Sequence, residues 1–264
     1  MIRPVMRLPL ALALALLVSL AAPLARGQSP VDAGAAGAGD ASAVASVQAP
    51  RALSPFVARY EADYHGKPAG DATLALVHAS APRWRVDLGI HGRRGMLGVL
   101  GLNVQQSTVF DSVDGAYRPL SQSTVRRGLL LGRSATGAYD WARGTAQWTG
   151  DLKDRHKAPV ALQPGDMSGL LINLAIVRDA RPGAVLRYRF VEGGRVRDHV
   201  YRVADAPETV AVGGLDFAAL RVARTNGGDD ETVVWVAEGV PTPVRILQRE
   251  AGEDAIDLRL MEYR

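Results

Sequence analysis

The chain reads as a mainly β protein: a strongly curved antiparallel sheet or open β-barrel with one helix, at about residues 168–179, packed over its concave side. Three observations predict this. From Phe56 onward apolar and polar residues alternate with a period of two, which turns one face of each segment to a core and the other to water. Gly, Pro, Asn and Asp punctuate nearly every gap between these segments. One stretch departs from the pattern: Leu170, Leu171, Leu174 and Val177 fall at helical spacing.

The elements follow in order. Phe56, Ala58, Tyr60, Ala62 and Tyr64 alternate with Arg59, Glu61, Asp63 and His65, and a weaker alternation occupies 71–77. Trp84, Val86, Leu88 and Ile90 alternate with Arg83, Arg85, Asp87 and His91. Strands at 104–112, 120–125 and 134–141 come next, the first two separated by a turn at Asp114-Gly115. The helix has Asp166 or Ser168 to cap its start, Arg178 and Arg181 near its end, and Pro182-Gly183 to stop it. Strands at 185–191, 197–203, 215–224, 232–237 and 244–249 follow, with turns at Glu192-Gly193-Gly194 and Asn226-Gly227-Gly228. Ile256, Leu258 and Leu260, alternating with Asp257 and Arg259, close the domain. The tryptophans Trp84, Trp141, Trp148 and Trp235 are expected in the core or at sheet edges.

The N-terminus predicts export. Arg3 and Arg7 precede an apolar run, 8–22, broken only by Pro9 and Ser19, and Ala25-Arg26-Gly27 offers small residues for cleavage near Gly27. The apolar run is shorter than the roughly 20 residues that a membrane span needs. Residues 1–27 are therefore read as a signal peptide, and no membrane span is expected after cleavage. Residues 28–55, rich in Ala, Gly, Ser and Pro, cannot bury enough surface to offset their chain entropy and read as a disordered linker. A single β domain is expected over 56–264.

Charge and composition exclude several classes. The full chain has 31 Lys and Arg against 27 acids; removing Arg3, Arg7 and Arg26 leaves 28 against 27. A near-neutral exported chain is a poor nucleic-acid binder, and no nucleic-acid partner is expected. The absence of cysteine removes disulfides, thiolate metal sites, cysteine nucleophiles and lipoprotein acylation. The expected address is the periplasm.

Several motifs together carry a family resemblance. Tyr60-x-x-x-Tyr64-x-Gly66-x-x-x-Gly70 opens the domain, Tyr139-Asp140-Trp141 precedes a turn at Arg143-Gly144, and a capped helix lies mid-chain. Thr232-Val233-Val234-Trp235-Val236 then leads to Pro243-Val244-Arg245-Ile246. In this order they resemble an exported Gram-negative family known as domain of unknown function 3108, over roughly 56–264. The resemblance implies an envelope location and an all-β fold with a helix, and it supplies no established catalytic residues. The closing strands also resemble the ends of periplasmic lipoprotein-carrier half-barrels, a likeness of architecture that does not fix function.

No catalytic motif stands out. Gly165-Asp166-Met167-Ser168-Gly169 has the wrong first spacing for a nucleophile elbow, and Ser168 reads as a helix cap. The histidines His65, His78, His91, His156 and His199 form no local zinc spacing, and Asp198 and His199 point to opposite faces of a strand. Glu61 and Asp63 share a face that reads as solvated beside Arg59, and Asp229-Asp230-Glu231 lacks calcium-loop order. No cofactor and no metal are expected.

The most unusual feature is a near repeat. Arg93-Arg94-Gly95-Met96-Leu97-Gly98 continues as Val99-Leu100-Gly101-Leu102, and Arg126-Arg127-Gly128 is followed by Leu129-Leu130-Leu131-Gly132. Each is an apolar, glycine-edged patch behind an arginine pair. One reading makes them buried turns with snorkelling arginines. The other makes them a greasy rim with cationic flanks. The candidate ligand-binding residues are then Met96, Leu97, Val99, Leu100, Leu102, Leu129, Leu130 and Leu131, with Arg94 and Arg127. The expected function is non-enzymatic binding of an apolar or amphipathic envelope molecule, a lipid or lipoprotein-like ligand. The alternatives are an envelope protein partner joined by β-augmentation and, remotely, a hydrolase whose site is hidden in sequence.

Overall fold

The computed structural model describes residues 53–95, 98, 101–128 and 132–264. The predicted signal peptide and all of the predicted linker but Leu53, Ser54 and Pro55 lie outside these residues, as do Met96, Leu97, Val99, Leu100, Leu129, Leu130 and Leu131.

Among the described residues, sixteen strands form one sheet. The first half comprises β1 (Phe56–Tyr64), β2 (Lys67–Ser80), β3 (Arg83–Gly92), β4 (Asn103–Val113), β5 (Ala116–Arg127), β6 (Arg133–Asp140), β7 (Thr145–Gly150) and β8 (Val160–Ala161). After β9 (Asp166–Met167) and the helix α1 (Gly169–Asp179) come β10 (Val185–Glu192), β11 (Arg195–Val203), β12 (Glu208–Val212) and β13 (Leu215–Arg224). The chain closes with β14 (Thr232–Ala237), β15 (Arg245–Glu250) and β16 (Glu253–Tyr263).

Two meanders are joined through their outermost strands. The order runs from β8 back to β1, then β16, β15, β14, β13, β11, β10 and β9, with β12 attached to β13. β1 therefore sits between β2 and β16, with Tyr60 opposite Leu260 and Ala62 opposite Leu258. Pairing is antiparallel except between β9 and β10. The sheet curves strongly but is not closed into a barrel, because it ends in the two-residue strands β8 and β9. The β6–β8 end laps over the outer face of β10 instead. The Tyr139 hydroxyl donates to the Val191 carbonyl at 2.6 Å, Val191 packs with Tyr139, Ala146 and Trp148, and Arg189 reaches the Ala161 carbonyl.

The period-two segments become strands for the expected reason. Phe56, Ala58, Tyr60 and Ala62 of β1 are buried, as are Val86, Leu88 and Ile90 of β3 and Ile256, Leu258 and Leu260 of β16. The structure adds β7, β8, β9 and β12 to the strands that alternation predicts. Trp148 and Trp235 are core residues, whereas Trp84 and Trp141 are half-buried. Asp63 is buried, unlike the solvated position expected of it. A bulge between Ala62 and Asp63 shifts the register there, and Arg259 bonds Asp63 at 2.7 Å while also reaching Glu61.

The helix begins where its cap predicts. Ser168 has extended backbone, and its hydroxyl accepts from the Leu171 amide and pairs with Thr108 Oγ1 at 2.9 Å. The expected leucine face is only part of its packing: every residue from Gly169 to Val177 is buried. The sheet curls around the helix, which packs against β3, β4, β9 and β10, so Ile172, Asn173, Ala175 and Ile176 are covered too. Replacing Ser168 by Ala should cost about 1–2 kcal/mol, because it removes the cap and leaves the buried Thr108 hydroxyl without its partner. Urea denaturation measures it; an unchanged midpoint would show that the cap contributes nothing.

Candidate functional site

Strand direction gathers the near repeats at one end of the sheet. β1, β3, β5, β10, β13 and β15 all run the same way, so the turns after Tyr64, Gly92, Arg127, Glu192, Arg224 and Glu250 share what is called here the loop end. The 93–102 and 128–132 connections are neighbours there, since Asn103 is opposite both His91 and Arg127. The N-terminus of α1 faces this end, while Arg178 in its last turn bonds the Gly115 carbonyl in the turn at the other.

Of the predicted ligand residues, Arg94, Leu102 and Arg127 are described. Arg94 is exposed, and its amide and that of Arg93 both donate to the Ala69 carbonyl. Leu102 is half-buried, and its carbonyl accepts from the Gly92 amide at 2.8 Å. Gly98 lies so close to the Arg93 backbone that a Cβ would overlap it, which explains the glycine at that point. Arg127 is exposed on the outer face of the sheet, where it lines a cleft of about 230 Å³ with His91, Asn103, Gln105 and Val125.

The inner face at the loop end carries polar residues outside the predicted ligand set. Arg126 is opposite the buried Val104 and shares its face with Gln122 and Thr124. Gln122 is the hub. Its Nε2 donates to Glu192 Oε1 at 2.9 Å, and its Oε1 accepts from Trp148 Nε1 at 3.0 Å. Glu192 Oε2 accepts from the Gly169 amide at 2.9 Å, so a carboxylate meets the positive end of α1. Burial nevertheless pushes the Glu192 carboxyl above its ordinary range. Below it, Asp166 is fully buried and held by Arg189.

Across the β10–β11 hairpin, Arg195 is opposite Glu192, Arg197 opposite Phe190 and His199 opposite Tyr188. Arg195, Arg197, His199 and Tyr201 therefore share the inner face. Arg224 of β13 is buried opposite Tyr201 and donates to Asn226 Oδ1. Burial lowers the pKa of Arg126, Arg195 and Arg197; Arg133 adds to the effect on Arg126, and Arg197, Arg155 and Arg126 add to that on Arg195. Carboxylates oppose the effect through space: Glu192 and Glu250 at Arg126, Glu192 at Arg195 and Asp230 at Arg197. Arg195 donates to His156 Nε2 at 3.4 Å, which also accepts from Arg155.

The chemically versatile groups elsewhere are held structurally. His199 is stacked on Phe190 with centroids 4.9 Å apart, and burial, with Arg224 and Arg197 nearby, pulls its pKa down to about 3. Ser168 caps α1, and Glu61 and Asp63 share Arg259. Among the described residues, no group of three His, Asp or Glu side chains is placed to hold a metal ion, and no helix is long and apolar enough to cross a membrane. At the other end of the sheet a cleft of about 320 Å³ is lined by Leu53, Phe56, Leu76, Tyr117, Val177 and Tyr263, among others.

A family model described as protein of unknown function (DUF3108) matches residues 59–258. No curated protein matches the chain. Two solved structures resemble its backbone. A β-barrel-like protein of domain of unknown function DUF1849 from Brucella abortus is 8% identical with a TM-score of 0.42, covering 82% of this chain and 98% of that one. A DUF1089 family protein from Pseudomonas aeruginosa is 14% identical with a TM-score of 0.35, covering 67% of this chain and 89% of that one.

Proposed function

The chain belongs to the DUF3108 family, and from that premise we infer that it is an exported, periplasmic, non-enzymatic protein that binds an apolar or amphipathic envelope molecule at the loop end of its curved sheet. One observation carries the reading: the two connections that hold the arginine-pair, glycine and apolar repeat are neighbours at that end. The strands that lead into the two connections end side by side, as a single rim requires; at opposite ends of the sheet they would lead to unrelated turns. The charged start, apolar run and small-residue exit at 1–27 support export with cleavage near Gly27. At the two ends of the main strand order β8 and β9 are two residues each and offer little ladder to a new strand, while the five-residue β12, paired with β13 alone, is the edge that a β-augmenting partner would use.

Leu97 and Leu130 test the site. Apolar contact gains about 25 cal/mol per Å² removed from water, so a few leucines hold an acyl chain at useful affinity. Replacing both by Asp should abolish binding of a fluorescent fatty-acid probe and leave the circular dichroism unchanged. Unfolding of the double variant would make these leucines core residues. Retained folding with retained binding would move the site elsewhere.

A further inference from the structure

We propose that the outer-face cleft beside Arg127 binds a small carboxylate that also carries hydroxyl or amide groups. The site is separate from the rim proposed above and does not rest on it. Each residue that lines it lies on β3, β4 or β5.

The sheet lays the cleft out in two rows. Asn103 is opposite His91 on one side and Arg127 on the other, so an imidazole, a carboxamide and a guanidinium stand side by side across three strands. Two residues further along β4, Gln105 is opposite Gly89 and Val125. These positions face outward because Ile90 and Val104, between them in sequence, are buried on the inner face. Gly89 brings no side chain, which leaves room beside Gln105 in a cleft of about 230 Å³.

The lining groups have bonding capacity left for a ligand. Arg127 makes no hydrogen bond or ion pair with a described residue, and the nearby 96–100 and 129–131 contain no acid. Among the described residues, Gln105 keeps both ends of its carboxamide, and Asn103, whose Nδ2 donates to the Gly101 carbonyl at 3.1 Å, keeps its Oδ1. Asp71 stands in the first row beyond His91, but it is ion-paired with Arg93, and its Oδ2 is 3.8 Å from His91 Nδ1. Three strand spacings, about 14 Å, separate Asp71 from Arg127. That exceeds the Debye length of about 8 Å at physiological ionic strength. Asp151, beyond β6, has its Oδ2 on the Ser134 amide at 2.7 Å.

These groups select the ligand. One guanidinium fork matches one carboxylate, which accepts two parallel N–H bonds. Carboxamides both donate and accept, so Asn103 and Gln105 suit hydroxyl or amide groups, which do the same, better than the acceptor oxygens of a phosphate. Val125 adds a small apolar contact. The volume is below the roughly 300 Å³ at which ordinary ligand pockets begin, so the ligand is small. A uronic acid has this pattern of groups.

Titration of the purified protein, followed through its backbone amide NMR signals, tests the site. The probes are galacturonate, galactose, acetate and inorganic phosphate, at an ionic strength matched with chloride. Galacturonate is expected to shift the signals of Asn103, Gln105 and Arg127 and to bind at least tenfold tighter than the other three. Arg127→Gln should remove its advantage over galactose, and Gln105→Leu its advantage over acetate. Both side chains are exposed, so neither change disturbs the core. Galactose binding as tightly as galacturonate would overturn the carboxylate role of Arg127. Acetate or phosphate binding as tightly would overturn the reading of hydroxyl groups by the carboxamides. Shifts centred elsewhere, no binding of galacturonate, or preferences unchanged in both variants would overturn the site itself.

Discussion

Replacing Trp148 by Ala is expected to cost about 3–5 kcal/mol of unfolding free energy, read as a shift of the denaturant midpoint. Trp148 is 1% exposed and meets Tyr139 edge-on, with ring centroids 5.3 Å apart. Its ring lies over Gly137, where a Cβ would overlap the indole, so the neighbouring strand has been kept bare to admit it. The loss has two parts. The cavity term is large because Val191 and Ala146 are held by their own strands and cannot collapse far into the gap. The polar term arises because Gln122 Oε1 loses the indole N–H that it accepts from in a buried site. Trp148→Phe should fall between the two, since it refills part of the volume but restores no donor. A change below about 1 kcal/mol for the alanine variant would mean that the lap of β6–β8 over β10 opens separately from the rest of the fold.

Much of this architecture is legible in the sequence, and the parts that are not have physical reasons. Strands with one wet face announce themselves: the alternations in β1, β3 and β16 are the buried and exposed faces found in the structure. The capped helix is equally plain, because Ser168, Leu170, Leu171, Leu174 and Val177 give both a start and a period. The two-residue strands β8 and β9 carry no period at all, whereas β14, buried on both faces, is still found at the predicted 232–237. The pairing of β1 with β16 joins residues about 200 positions apart, for example Arg59 with Glu262, and no local pattern encodes it.

The candidate site shows the same limit more sharply. Adjacent arginines on a strand must point to opposite faces, so the Arg126-Arg127 pair was bound to place one inward. Which one depends on a bulge between Val109 and Phe110, where Phe110 is opposite Pro119 but Val109 is opposite Ser121. That extra residue shifts the inward set of β5 from Tyr117 and Pro119 to Gln122, Thr124 and Arg126. Arg127, the expected rim cation, consequently faces the outer cleft, and Arg126 faces the helix side. Gln122 and Glu192 carry no sequence signal. Their importance comes from the fold bringing β5 to β10.

Acidification from pH 7.5 to pH 5.0 is expected to lower the unfolding free energy through His199 by about 2 kcal/mol. The ring is 1% exposed, stacked on Phe190, with Tyr201 Oη 3.4 Å from Nδ1 and the cations Arg224 and Arg197 on the same face. Asp198, next in sequence, points to the opposite face and is exposed, while Asp230 offsets part of the charge of Arg197 and Arg224. The folded pKa of about 3 lies below the unfolded value of 6.5, so the fold holds the neutral ring. Between these values the unfolded chain binds a proton that the folded chain does not, and stability falls as pH falls. The loss begins near pH 6.5, reaches about 2 kcal/mol at pH 5 at 1.36 kcal/mol per pH unit, and stops growing near pH 3. Glu192 acts in the opposite sense, since its carboxyl is raised by burial and its neutral form is favoured in the fold as pH drops. His156, half-buried, acts in the same sense as His199 and titrates alike in the wild type and in a His199 variant. Comparison with a His199→Phe variant isolates the buried ring, because the phenyl keeps the stack on Phe190 and cannot titrate. Denaturation of both proteins at pH 7.5 and 5.0 should show the wild type losing about 2 kcal/mol more than the variant. Equal losses would mean that His199 takes up a proton within the fold, and that water or an anion reaches the inner face beside Arg197 and Arg224.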